Sequence, residues 1–173
     1  MATYTRGSSI KLSSNFNSNE FDCKCGKCKK TIIDKKLINS LQLIRNHFGK
    51  PILINSGYRC TEHNKAVGGV SNSQHTRGKA ADIVVKGIEP REVAAYAASI
   101  GVNGIGVYKT FTHVDTRENK AFWGLSFAQS NRKIAEQVIE GLWGVGAARK
   151  RKLTAAGYDY KEIQALVNEL LRK

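Results

Sequence analysis

The chain has 173 residues, enough for one ordinary core of about 100 to 130 residues and a small appendage. Hydrophobic residues make up 41% and charged residues 24%, the balance of a globular protein, and no apolar run reaches the roughly 18 residues that a bilayer span needs. The formal net charge of +14 favours polyanionic partners, whether nucleic acid, anionic lipid or an acidic cell wall, and does not choose among them. Residues 1–11 hold no apolar segment and do not read as a secretory signal. The chain is therefore expected to be made in a cytoplasm and to reach any outside target by another route.

Residues 1–20 are rich in Ser, Asn and Thr and predict an extended lead-in. A compact Cys-x-Cys-x-x-Cys knuckle follows at Cys23, Cys25 and Cys28. From Asp34, a suitable N-cap, Leu37, Ile38, Leu41, Ile44 and Phe48 recur at helical spacing until Gly49 and Pro51 stop the helix. Residues 52–55 predict a short apolar strand, 61–67 a short helix ended by Gly68-Gly69, and 80–85 a second strand. An amphipathic helix is expected over 89–100, with Pro90 in its first turn and Gly101 at its end. Residues 104–108 and 111–116 read as a hairpin closed by Lys109-Thr110. Helices interleaved with a small, mostly antiparallel sheet make an α+β plan.

After Gly124 the pattern changes. Residues 125–131 predict a linker, and three short helices are expected over 132–143, 147–156 and 160–172, broken at Gly144, Gly146 and Gly157. Ile134, Val138, Ile139 and Leu142, then Leu153, then Ile163, Leu166, Val167 and Leu170 supply three apolar faces, so a three-helix bundle is the natural way to bury them. Charge alone would make Arg149 to Lys152 a nucleic-acid patch, but helical spacing splits it over several faces, as for a solvated segment.

The chemistry centres on His75, Asp82 and His113. A catalytic zinc takes three protein N or O ligands and keeps a fourth position open. A loop over 76–79 would bring His75 to Asp82 at the start of its strand, and His113 would arrive from a neighbouring strand. The period of two places His113 and Asp115 on one face. A carboxylate there can accept a proton or fix the orientation of the imidazole. Spacing alone leaves another arrangement open, in which His75 caps a turn and Asp82 pairs with a lysine.

Several motifs in order, Ser56-Gly-Tyr-Arg59, Asn64, Val67-Gly-Gly69, Ser73-x-His75-x-x-Gly78-x-Ala-Ala-Asp82-Ile and His113-Val-Asp115-x-Arg117, resemble the zinc D-Ala-D-Ala carboxypeptidase family over roughly residues 10–124. The likeness is strongest to its phage-lysin branch of L-Ala-D-Glu endopeptidase type. The resemblance implies a hedgehog/DD-peptidase-like fold, a catalytic zinc on His75, Asp82 and His113, and Arg59 as a substrate-side cation. It also implies D-amino-acid-containing stem peptides of peptidoglycan as substrates, cut by zinc-activated water. The related vancomycin-resistance dipeptidases carry a general-base Glu three residues before the last His. Thr110 stands there in this chain, which leaves Asp115 as the candidate catalytic base.

The four cysteines, Cys23, Cys25, Cys28 and Cys60, are open to three readings: a structural zinc site, one or two disulfides, or free thiols. Cys-x-Cys is shorter than the usual spacing of zinc ligands. In the last segment, Gly-Leu-Trp-Gly at 141–144 and Leu-Thr-Ala-Ala-Gly-Tyr-Asp-Tyr at 153–160 resemble one copy of the cell-wall-binding repeat of phage lysozymes. The repeat implies binding to wall glycan and muramyl peptide. Trp143, Tyr158 and Tyr160 would stack on sugar faces or fill the bundle's core.

The combined reading is a modular phage-type endolysin. A zinc peptidase domain over 1–124 and a wall-binding repeat over 132–173 would act on peptidoglycan, with neither nucleic acid nor a membrane span involved. It would be held in the host cytoplasm until release and act at the bacterial wall. Two alternatives stand beside it: a carboxypeptidase that trims terminal D-Ala, and a non-catalytic wall-binding protein.

Overall fold

The computed structural model describes residues 1–124, 127–155 and 158–172. Its first strands, β1 (Ala2–Thr5) and β2 (Lys30–Ile33), pair antiparallel. The extended lead-in is thus built into the fold, because its backbone groups find strand partners 25 to 31 residues downstream, from Lys30↔Thr5 to Ile33↔Ala2. A 3-10 turn, Ser18–Phe21, then buries Phe16 and Phe21 edge to face.

Helix α1 (Lys35–Phe48) starts where the sequence puts it, with Asp34 accepting from the Lys36 amide at 3.2 Å, and ends at Gly49 with φ 61°. Its stripe of Leu37, Ile38, Leu41 and Ile44 is buried. Strand β3 (Ile52–Ser56), helix α2 (Thr61–Ala66), strand β4 (Ala80–Val85) and helix α3 (Pro90–Ser99) follow. The hairpin β5 (Gly104–Val107) and β6 (Thr112–Asp115) is as expected, and β7 (Ala121–Gly124) adds a strand that the periodicity did not reveal.

The main sheet runs β3-β4-β6-β5-β7 and is antiparallel except for the β5–β7 pair. One face, with Ile54, Ala81, Ile83, Val85, Ile105, Val107 and Val114, packs on α1 and α3 as the principal core. The opposite face of β4, β5 and β6 carries Asp82, His113 and Asp115, with Ala80, Val84 and two glycines around them. Strands β4 and β6 are therefore buried on both faces, with the ionisable groups confined to one of them.

The last three helices, α4 (Phe127–Ile139), α5 (Gly146–Ala155) and α6 (Tyr160–Leu170), close a second core of Ile134, Ala135, Val138, Leu153, Tyr158, Ile163 and Val167. Two expectations change here. Helix α4 starts at Phe127, inside the stretch read as a linker, because that polar stretch holds neither Gly nor Pro to stop a helix; Leu125 and Ser126 lie outside the described residues. It also ends at Ile139, before Trp143, where Gly141 at φ 81° turns the chain and the amides of Gly141 and Leu142 bond back to Val138 and Gln137. Leu142 is left 65% exposed. The basic residues Lys150, Arg151 and Lys152 of α5 face solvent, as their spacing implied.

Leu41, fully buried on α1, and Leu43, 48% exposed on the same helix, give a paired test of this packing. Leu41→Ala should cost about 2–5 kcal/mol and Leu43→Ala within about 0.5 kcal/mol of zero, read from urea unfolding midpoints.

Candidate metal centre

Strand register brings the first two ionisable groups together. Asp82 on β4 lies directly opposite His113 on β6, and His113 Nδ1 is 2.8 Å from Asp82 Oδ1. His75 comes from the turn-rich loop between α2 and β4, where its amide bonds the Ser73 hydroxyl and Gly78 N–H closes the turn on His75 O. That loop is pinned to the start of α1 by a bond from Asp34 N–H to Gly78 O at 2.8 Å. His75 Nε2 thereby sits 3.2 Å from His113 Nδ1 and 3.3 Å from Asp82 Oδ1.

The outward atoms of the three side chains are all engaged. His75 Nδ1 is 2.7 Å from Gly57 O; a carbonyl only accepts, so Nδ1 carries the proton and Nε2 turns a lone pair inward. His113 Nε2 is 3.0 Å from Asp115 Oδ2 and donates to it, which leaves the Nδ1 lone pair facing Asp82. Asp82 Oδ2 accepts from Arg59 Nη2 at 2.6 Å, and Arg59 Nε is tied to Ser56 Oγ at 2.8 Å.

Three lone-pair donors therefore converge on one point, an arrangement that repels itself until a cation enters. A tetrahedral zinc with bonds of about 2.0–2.1 Å places its ligand atoms roughly 3.3 Å apart, and the three separations here run from 2.8 to 3.3 Å. The donor set and the oriented outer partners fit a zinc ion.

The electrostatics agree. Burial opposes charge on Asp82, but hydrogen bonds from His113 and His75 overcome it and hold the carboxyl well below the usual carboxylate range. Burial likewise opposes charge on Asp115, and His113 and Arg117 more than offset it. His113 is pushed down by burial and raised on balance by its bonds to Asp115 and Asp82.

Asp115 is completely buried and lies on the far side of the His113 ring from His75 and Asp82. Arg117 grips it through Nε at 2.8 Å and Nη2 at 2.6 Å. Of the two roles open to this carboxylate, the geometry supports orienting the imidazole. The room for it is made by glycine: a Cβ on Gly104, opposite Asp115 in the β5–β6 register, would fall 2.1 Å from Asp115 Oδ1. Gly106, opposite His113, likewise gives way to the Trp123 indole. The sequence signal for both was available in the Gly-x-Gly alternation of β5, read only as a strand.

The site opens into a cleft of about 480 Å³. Val67 to Val70, Asn72 and the aromatics Tyr108, Phe111 and Trp123 line it. Tyr108 stacks on Phe111 with ring centroids 4.3 Å apart, and its hydroxyl accepts from Trp123 Nε1 at 3.0 Å. The sequence singled out none of these aromatics, because an aromatic in a strand is ordinarily core. Thr110 lies in the hairpin turn between β5 and β6.

The remaining predicted residues fall elsewhere. Tyr158 is buried in the second core, Trp143 meets it edge to face at 5.8 Å, and Tyr160 packs against the same core. Trp143 Nε1 donates to Gln137 Oε1 at 3.0 Å. The Sγ atoms of Cys23, Cys25, Cys28 and Cys60 gather within 4.8 Å of one another, with no disulfide between them.

Fold and site together define an α+β domain with a His-Asp-His cluster whose geometry fits a metal ion. Residues 14–115 match the model of the peptidase M15 family, and the chain belongs to that family, whose members are zinc-dependent. Residues 132–171 match the CW_7 repeat. The chain is also similar to the peptidoglycan L,D-endopeptidase MepK of Escherichia coli K12 and to the protein of the same name in Shigella flexneri. Identity in each case is 32% over 93 residues, covering 49% of this chain and 51% of the relative. The chain thus spans about half the length of the curated relatives it matches.

If Asp115 orients His113, Asp115→Asn should weaken zinc binding by about 10- to 100-fold, measured by chelator competition. Gly104→Ala should reproduce that loss without removing any ligand. Unchanged zinc affinity in both variants, with turnover alone reduced, would return Asp115 to the role of base.

Proposed function

We propose that the chain is a peptidoglycan hydrolase of phage-endolysin type that cuts a peptide bond in bacterial stem peptides or their cross-links. The observation that carries this reading is the convergence of His75 Nε2, Asp82 Oδ1 and His113 Nδ1 at the base of an open cleft. Membership of the peptidase M15 family supports it, as does the similarity to a relative named as a peptidoglycan L,D-endopeptidase.

One zinc held by these three residues would supply Lewis-acid activation of the scissile carbonyl and of water. The chain's own groups have separate tasks. Asp115 keeps the proton on His113 Nε2 and so keeps Nδ1 available as a ligand. Arg59 fixes Asp82 through Oδ2 at the edge of the cleft. Tyr108, Phe111 and Trp123 give the peptide an apolar wall to lie along.

An internal cut is favoured over removal of a terminal D-Ala. A carboxypeptidase needs a cation for the terminal carboxylate, and the two arginines lining this cleft are each committed to a carboxylate, Arg59 to Asp82 and Arg117 to Asp115. The C-terminal repeat would hold the enzyme on the polymer and raise the local concentration of peptide bonds. Its CW_7 match and the basic charge of the chain support that role on an acidic wall. In this reading Trp143 and Tyr160, half-buried at the rim of the second core, are the aromatics with ring surface left for sugar. The protein would be stored in the host cytoplasm until release and act at the wall.

Digestion of purified walls and of defined cross-linked muropeptides, followed by mass analysis, tests the assignment. Products with a new internal amino terminus are expected from zinc-loaded protein and none from His75→Ala. Release of free D-Ala alone would make the enzyme a carboxypeptidase. Intact walls, bound equally by wild type and His75→Ala, would make it a binding protein.

A further inference from the structure

The four cysteines lie apart from the His-Asp-His centre, and the reaction makes no use of them. Three come from the knuckle between the 3-10 turn and β2, and the fourth, Cys60, directly precedes α2. Cys25 Sγ is 3.4 Å from Cys23 Sγ, 3.2 Å from Cys28 Sγ and 3.9 Å from Cys60 Sγ. A disulfide joins two sulfurs at about 2.05 Å and does nothing to gather a second pair around the same point. A tetrahedral centre with Zn–S bonds of about 2.3 Å sets its sulfurs roughly 3.8 Å apart, close to what the cluster shows.

From this convergence we propose that Cys23, Cys25, Cys28 and Cys60 bind one Zn²⁺ as a closed structural site. The short Cys-x-Cys spacing is accommodated because Cys23 enters from the buried end of the 3-10 turn, fully enclosed, while Gly26 at φ 73° folds the chain back to bring Cys28 to Cys25. Backbone amides already point at the sulfurs, as the charge of bound thiolates requires: Lys27 N–H to Cys25 at 3.3 Å, Cys60 N–H to Cys23 at 3.4 Å and His63 N–H to Cys60 at 3.4 Å. Each thiol gives its proton to solvent as its S–Zn bond forms, so four thiols and one Zn²⁺ leave a complex of formal charge −2. Lys24, Lys27, Lys29 and Lys30, all exposed beside the knuckle, offset that charge.

The site would join the N-terminal segment to the turn that carries Arg59. The same two segments are also joined by the bond from Tyr58 N–H to Phe21 O at 2.9 Å. The zinc is thus a staple between the first twenty-eight residues and the cleft rim. The inference does not depend on the reaction assigned above.

Metal analysis of the full-length protein tests it. Two zinc ions per chain are expected in wild type, one in His75→Ala, and one in the double variant Cys25→Ser/Cys28→Ser. After exchange with Co²⁺ alone, thiolate-to-cobalt charge-transfer absorption should appear in wild type and in His75→Ala and be lost in the double variant. Should the double variant not fold, titration of wild type with an organomercurial thiol reagent serves instead, and is expected to release one zinc as four thiols react. A single zinc in wild type that vanishes in His75→Ala would overturn the proposal. So would an intact mass, under non-reducing denaturing conditions, lower by four hydrogens. A chain that carries both metals yet leaves walls uncut would refute the peptidase reading and leave the cysteine site standing.

Discussion

The register between β4 and β6 is the constraint on which the site depends. It sets Asp82 opposite His113, and because side chains alternate, it simultaneously sends Ala81, Ile83 and Val114 into the core beneath α1 and α3. A slip of one residue would turn the ligands inward and the aliphatics outward, an exchange that burial forbids. The hydrophobic core thus enforces the position of the polar groups, and no separate device is needed to align them.

What makes the polar face tolerable is that every buried charge on it has a partner. Asp82 is held by Arg59, Asp115 by Arg117 and His113, and His75 by the Gly57 carbonyl. Burying a lone carboxylate costs several kcal/mol, whereas a hydrogen-bonded pair nearly recovers that cost. The same partners select the imidazole tautomers, so the network that stabilises the fold also leaves three lone pairs aimed at one point. Stability and metal affinity are two consequences of one set of hydrogen bonds.

The N-terminal segment plays a larger part than a lead-in would. β1 pairs with β2, the 3-10 turn buries Phe16 and Phe21 in the principal core, and the cysteine knuckle returns the chain to the turn before α2. The second core is smaller, and its aromatics are drawn into it: Tyr158 and Trp143 meet edge to face at its margin.

Local signals carried much of this into the sequence. Asp34 and Gly49 bound α1, Pro90 opens α3, and the Leu37-Ile38-Leu41-Ile44 stripe faces inward, because capping and periodicity act over a few residues and leave a direct imprint. His75, Asp82 and His113 were singled out for their donor types, their placement beside strands and their family resemblance. The β1–β2 pair, the strand β7 and the early start of α4 were not legible, since each depends on a distant partner or on the absence of a stop signal. The role of Asp115 was likewise undecided by alternation, which places it beside His113 but cannot say which ring nitrogen it meets. Only the tertiary structure, by setting Arg117 and Gly104 around that carboxylate and turning His113 Nδ1 toward Asp82, puts Asp115 on His113 Nε2. Sequence determines which residues share a face; the packing of other elements against that face determines which atoms meet.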